Sequence, residues 1–129
     1  MKTFLIFIFT FTLFSPHIYA QNNEKTECEE IIQAIKTADI EKLSPNFADM
    51  IECDMFGKSN INSKAQTVQI VKDFFEQNKP KQFQVNHKGV KGQTKFMIGT
   101  YTNVTGKKYR ISWTVKQDLI IQLRVENSV

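Results

Sequence analysis

The chain has 129 residues, 41% of them hydrophobic and 23% charged, with a formal net charge of +4 at pH 7. That is one domain's worth of chain by size, with enough apolar residues for a core. The cations are spread along the chain with no long block, so nucleic-acid binding is not expected, and two cysteines and two histidines lack the spacing of a metal centre.

Residues 1–20 read as a secretory signal peptide. Lys2 is a short positive segment, Phe4 to Phe14 is apolar apart from Thr10 and Thr12, Ser15-Pro16 breaks the run, and Ala20 offers a small residue before the cut. The run is too short for a bilayer span, which needs about 20 apolar residues. No cysteine adjoins the cut, and Thr26-Glu27 before Cys28 is not the small-residue box of a lipoprotein. The expectation is an exported protein, periplasmic or secreted, with no membrane segment after cleavage. Residues 21–129 then form one domain. Export puts Cys28 and Cys53 in an oxidising compartment. They are either a disulfide or two small buried thiols, and the sequence leaves both readings open.

The first helix is expected from about Thr26 to Ala38. Cys28, Ile31, Ile32, Ile35 and Ala38 recur at the spacing of one helix face. Glu27, Glu29 and Glu30 sit in its first turns, where the helix dipole favours negative charge. Residues 39–43 suggest a short second helix that ends at Ser44-Pro45. Phe47 to Phe56 reads as a strand, with Ile51, Cys53 and Met55 alternating with Glu52 and Asp54. Gly57 to Asn62 reads as a turn. Ser63 and Gln66 then match a capping box, in which each side chain bonds the other's backbone amide. The helix they open is expected to bury Val68, Val71, Phe74 and Phe75. Pro80 stops it.

The remainder reads as four strands: 82–88, 94–104, 107–116 and 118–126. Phe83, Val85 and His87 alternate onto one face. A two-residue loop at Thr105-Gly106 sets Thr102, Thr100, Ile98 and Phe96 opposite Tyr109, Ile111, Trp113 and Val115. A three-residue link at 116–118 continues the same face through Leu119, Ile121 and Leu123. A slip of one residue would turn every one of these side chains over. One apolar face covered by helices makes this an α+β fold on an antiparallel sheet.

This order of elements resembles the nuclear transport factor 2-like, or cystatin-like, half-barrel. The residues carry a narrower likeness. Ser63, Lys64 and Gln66 are followed by Phe74, Phe75, Asn78, Pro80, Phe83, His87 and Gly89. Ile98, Gly99, Tyr101, Gly106, Tyr109 and Arg110 come next, and the run Leu123 to Glu126 closes the pattern. That pattern is similar to a family of small exported Bacteroidetes proteins of unknown function. The resemblance implies a half-barrel with N-terminal helices on one face of a curved sheet. It implies no catalytic residue. The family pattern expects an aliphatic residue where this chain has Cys53.

On the expected register, His87, Thr100, Thr102 and Tyr109 line the half-barrel as pocket candidates. Enzymes of this fold, such as ketosteroid isomerases, work with a carboxylate base and an oxyanion-binding Tyr or acid in that place. Here the base would have to be His87 or Asp49. A lone histidine at the end of an apolar strand face is more often a hydrogen-bonded wall residue, placed here beside Thr94 or Phe96. The outer face is expected to carry a row of Tyr101, Arg110 and Arg124, with Met97 and Ile120 nearby, as interface candidates. Asn103-Val104-Thr105 matches the glycosylation pattern by chance. The expected function is a non-enzymatic exported domain that needs no cofactor and no metal. It would bind a small apolar ligand in the half-barrel or a protein on the outer face, where a second copy could also dock as a homodimer. The alternatives are an isomerase or hydrolase using His87, and a purely structural module.

Overall fold

The computed structural model describes residues 27–128. The expected signal peptide therefore lies outside the described residues. Helix α1 (Glu27–Lys36) is followed by a single turn of helix, α2 (Ile40–Leu43), and a tight turn over Ser44–Asn46. Strands β1 (Phe47–Met55) and β2 (Lys58–Ser63) lead into helix α3 (Lys64–Gln77). Four more strands complete the chain: β3 (Pro80–Lys91), β4 (Thr94–Asn103), β5 (Lys108–Lys116) and β6 (Leu119–Asn127). The sheet order is β2-β1-β6-β5-β4-β3, with β1 parallel to β6 and every other pair antiparallel. The helices cover one face of this curled sheet, as the α+β half-barrel requires. Among the described residues no helix is long and apolar enough to cross a membrane.

The helices form where their local signals put them. Helix α1 buries Cys28, Ile31, Ile32, Ala34 and Ile35. Ser63 accepts from the Gln66 amide at 3.2 Å and Gln66 returns the bond to the Ser63 amide at 3.0 Å, so the capping box closes. Helix α3 buries Thr67, Val71, Phe74 and Phe75, while Val68 packs at the margin. The stretch expected as a turn at 57–62 is instead the edge strand β2. It is exposed along most of its length and shows no apolar alternation, because an edge strand has little to bury.

Strand β4 is turned over relative to the expected register. Tyr101 pairs with Tyr109, Gly99 with Ile111 and Met97 with Trp113. The cause is the loop. Asn103 accepts from the amides of Thr105 and Lys107 and from the Thr105 hydroxyl, at 2.7 to 3.0 Å. It thereby closes a loop of three residues, 104–106, with Gly106 at φ +90°. One extra loop residue reverses the parity of β4. Tyr101 and Met97 therefore fall into the core, and Phe96, Ile98, Thr100 and Thr102 face outward. The same bonds bury Asn103, so the glycosylation match has no accessible acceptor.

Two further irregularities move candidate residues. The β5–β6 link is a two-residue turn, with Gln117 at φ +50° and Asp118 at φ +65°. A register shift beyond it leaves Ile121 out of the pairing. Leu123 and Val125 keep the expected inward parity, Ile120 moves into the core, and Leu119 is exposed. In β3 the register shifts between Val85 and His87. Asn86 is the extra residue, and His87 is carried to the outer face, paired with Ile98.

Candidate functional site

The half-barrel has little room inside. Its interior is lined by Ile35, Leu43, Val71, Phe74, Ile111 and Leu123 among other apolar side chains, and the residual cavity is about 10 Å³. That is the space of roughly one water, whereas small-molecule sites measure about 300–1,000 Å³. Trp113 and Phe83 fill the other end, with ring centroids 6.0 Å apart. The Trp113 indole N–H has no partner among the described residues.

The other polar groups that face inward bind one another or the backbone. The Tyr101 hydroxyl donates to the Asn78 backbone carbonyl. The Tyr109 hydroxyl donates to Asn78 Oδ1 at 2.8 Å, and Asn103 Nδ2 donates to the same oxygen at 3.0 Å. Asn78 Nδ2 caps the end of α3 by donating to the Phe74 carbonyl at 3.1 Å. One asparagine thus ties the helix to the β4–β5 hairpin. Burial, then the neighbouring Tyr109, pushes the Tyr101 hydroxyl well above the usual tyrosine range. Phe56 closes the rim beside this network, its ring 5.9 Å from Tyr109 and 6.5 Å from Phe74. It holds φ +55°, a costly conformation for a bulky residue, and aromatic contact offsets that cost.

Of the four pocket candidates only Tyr109 faces the interior, where its hydroxyl is already bound. His87, Thr100 and Thr102 stand on the outer face. The His87 ring lies 5.8 Å from Phe96, and Thr100 shares a hydrogen bond of 3.2 Å with Asn86. A histidine base and a tyrosine on opposite faces of a sheet cannot meet one substrate. Asp49 is exposed on β1.

The interface candidates also divide. Tyr101, Met97 and Ile120 are core residues at 0%, 5% and 0% exposure, which dissolves the expected row. Arg110 and Arg124 remain outside. Each is paired within the chain, to Glu126 at 3.6 Å and to Asp54 at 3.4 Å. Cys28 and Cys53 are both buried. Cys53 is a free thiol, so the bridge between them is not formed in this structure. Burial, and then the Asp54 carboxylate, pushes that thiol above its ordinary range.

The outer face of β3, β4 and β5 carries the feature that residue reading missed. A trough of about 520 Å³ runs across it, lined by Lys81, Gln84, Asn86, Thr100, Thr102 and Lys108 with their neighbours. The signal was the three-residue Asn103 loop, which decides which threonines face out. Among the described residues no three or more His, Cys, Asp or Glu side chains gather as a metal would require.

Residues 28–126 match a family model described as "Domain of unknown function (DUF4783)". A crystal structure of a DUF4783 family protein from Bacteroides ovatus is 29% identical. The match covers 78% of this chain and 94% of that one, with a TM-score of 0.73. Its counterpart from Bacteroides uniformis is 24% identical over 78% and 96% of the two chains, with a TM-score of 0.72. An NTF-2 like protein of unknown function from Burkholderia xenovorans shares the fold alone. It is 13% identical over 79% and 80%, with a TM-score of 0.62. No curated protein matches the chain.

Proposed function

The chain belongs to the DUF4783 family, with a nuclear transport factor 2-like fold, and on that footing we propose that it is an exported, non-catalytic binding domain that works through the outer face of its sheet. The observation that carries this reading is the filled half-barrel. With about 10 Å³ left inside, a ligand there would have to displace core side chains. The inward tyrosine hydroxyls and asparagine amides bind one another and the backbone, and the one buried polar atom without a partner among the described residues, the Trp113 indole N–H, is packed against Phe83. No helix among the described residues covers the outer face, which presents amides, hydroxyls and lysines to a partner. The reading favours a foreign partner over a second copy, since the aromatic anchor expected for a homodimer, Tyr101, is in the core and both arginines are paired within the chain.

The test is amide-resolved NMR of the labelled protein in an extract of the cell envelope of the source organism. Selective broadening at Thr100, Ser112 and Arg124, removed by Thr100→Glu, is the expected result. Broadening confined to Val71, Ile111 and Leu123 would place binding in the interior and overturn the reading.

A further inference from the structure

Acidic residues are missing from a long continuous stretch. From Lys79 to Lys116 there are nine Lys and Arg and not one Asp or Glu. Spacing along the chain hides this, and folding exposes it. The stretch becomes β3, β4 and β5, three neighbouring strands that form one half of the sheet. Glu52, Asp54 and Glu126 belong to the other half, on β1 and β6. Lysines on a free edge discourage edge-to-edge pairing, which accounts for Lys81, Lys88 and Lys91 on β3. It does not account for the absence of acids from the inner strands β4 and β5, or for Lys107 and Lys108 at their hairpin.

The trough lies within this acid-free half. Its side chains are ammonium groups, carboxamides and hydroxyls, all of them hydrogen-bonding. The register shift in β3 places Asn86 where its amide meets Thr100, and bulges commonly re-aim side chains beside working sites. Lysines suit carboxylate or sulfate oxygens. Carboxamides and threonines both donate and accept, which suits the hydroxyls of a sugar ring. Protein partners use buried aromatic or arginine anchors, and the trough has neither, since Arg110 is paired with Glu126. Single-stranded nucleic acid needs stacking platforms, and no aromatic ring lines the trough. A peptide adding to the β3 edge would meet Pro80, which has no N–H, and the break at Asn86.

We propose that this trough binds an acidic polysaccharide, a sugar chain carrying carboxylate or sulfate groups. The proposal rests on the outer face being the working surface. The experiment is calorimetric titration of the purified protein with polygalacturonate, dextran sulfate, unsubstituted dextran, polyglutamate and duplex DNA. Saturable binding to either acidic sugar, weakening with salt and absent for plain dextran, is expected. Lys81→Glu with Lys108→Glu should weaken it about tenfold or more. Asn86→Ala with Thr100→Val, which leaves the charge unchanged, should weaken it severalfold. Binding of polyglutamate or DNA as tightly as the sugars, or indifference to the neutral pair, overturns the sugar assignment and leaves the outer-face reading standing. Sugar binding untouched by both pairs of substitutions overturns the trough as the site. No binding to either acidic sugar overturns the proposal outright. Circular dichroism of each variant establishes that it is folded before its titration is read.

Discussion

The ring of Phe83 lies across the α-carbon of Gly99 on the inner face of the sheet. A β-carbon on residue 99 would come within 2.4 Å of Phe83 Cζ and 2.9 Å of the Gln84 carbonyl oxygen. On the outer face Phe96 lies across Gly89 in the same manner, at 2.2 Å. The two pairs differ in freedom. Phe83 is buried against Trp113 and the Gln84 carbonyl is backbone, so neither can withdraw. Phe96 is half-exposed and can swing into solvent. Gly99→Ala should therefore destabilise by about 2–3 kcal/mol, as overpacking does, and Gly89→Ala by distinctly less. Urea unfolding of both variants checks the order, and equal losses would contradict it.

Asn78 serves the end of α3, Tyr109 and Asn103 together. Asn78→Ala removes the acceptor of two buried donors and a helix-end bond. Each orphaned group costs about 1–3 kcal/mol, so a loss of about 3–4 kcal/mol is expected. Tyr109→Phe removes a donor and leaves no orphan of its own kind, so it should cost nearer 1 kcal/mol. Thermal unfolding compares them. A smaller loss for Asn78→Ala than for Tyr109→Phe would show that the network is not centred on Asn78.

What the sequence made legible follows from where side chains report locally. The capping box at Ser63 and Gln66, the apolar stripe of α1 and the inward Trp113, Ile111 and Leu123 are written in short-range pattern, and they stand as expected. The errors of register share one origin, the count of residues in loops and bulges. Asn103 closes a loop one residue longer than Thr105-Gly106 suggests, and that exchanged Tyr101 and Met97 with Thr100 and Thr102. Asn86 did the same to His87. Three of the four pocket candidates, His87, Thr100 and Thr102, hung on those counts, and Tyr109 alone kept its face. Strand β2 was invisible because an exposed edge has no apolar alternation to display. The cations of the acid-free stretch are spaced out along the chain and form no block, so it took the strand order to gather them onto one half of the sheet.

Tyr101 supplies a pH dependence. Its hydroxyl is held neutral in the fold, so its folded pKa lies above the unfolded value near 10. The stability this gives is fully present below pH ~10 and is lost as pH rises from there toward the folded pKa. The wild type should lose stability in that alkaline window, and Tyr101→Phe should lose less across it, whatever its stability at neutral pH. Tyrosinate absorbance, followed alongside circular dichroism, reads both. Ionisation of Tyr101 near pH 10 in the folded protein would contradict the buried hydroxyl.

Cys53 is shielded by burial and disfavoured as a thiolate by Asp54. Alkylation of the native protein at neutral pH should therefore be slow at this residue and rapid once the chain unfolds. Protein isolated from its native cell and unfolded without reductant should show two reactive thiols. A count of none would mean that Cys28 and Cys53 pair in the cell.

The filled half-barrel is the claim on which the functional reading turns, and methyl NMR during titration with a small apolar probe such as benzene tests it most directly. The prediction is that the methyl groups of Val71, Ile111, Leu123 and Val125 keep their positions as the probe is added. Saturable shifts of those four, at probe concentrations that leave the fold intact, would show an interior that accepts a ligand and would return the binding site to the half-barrel.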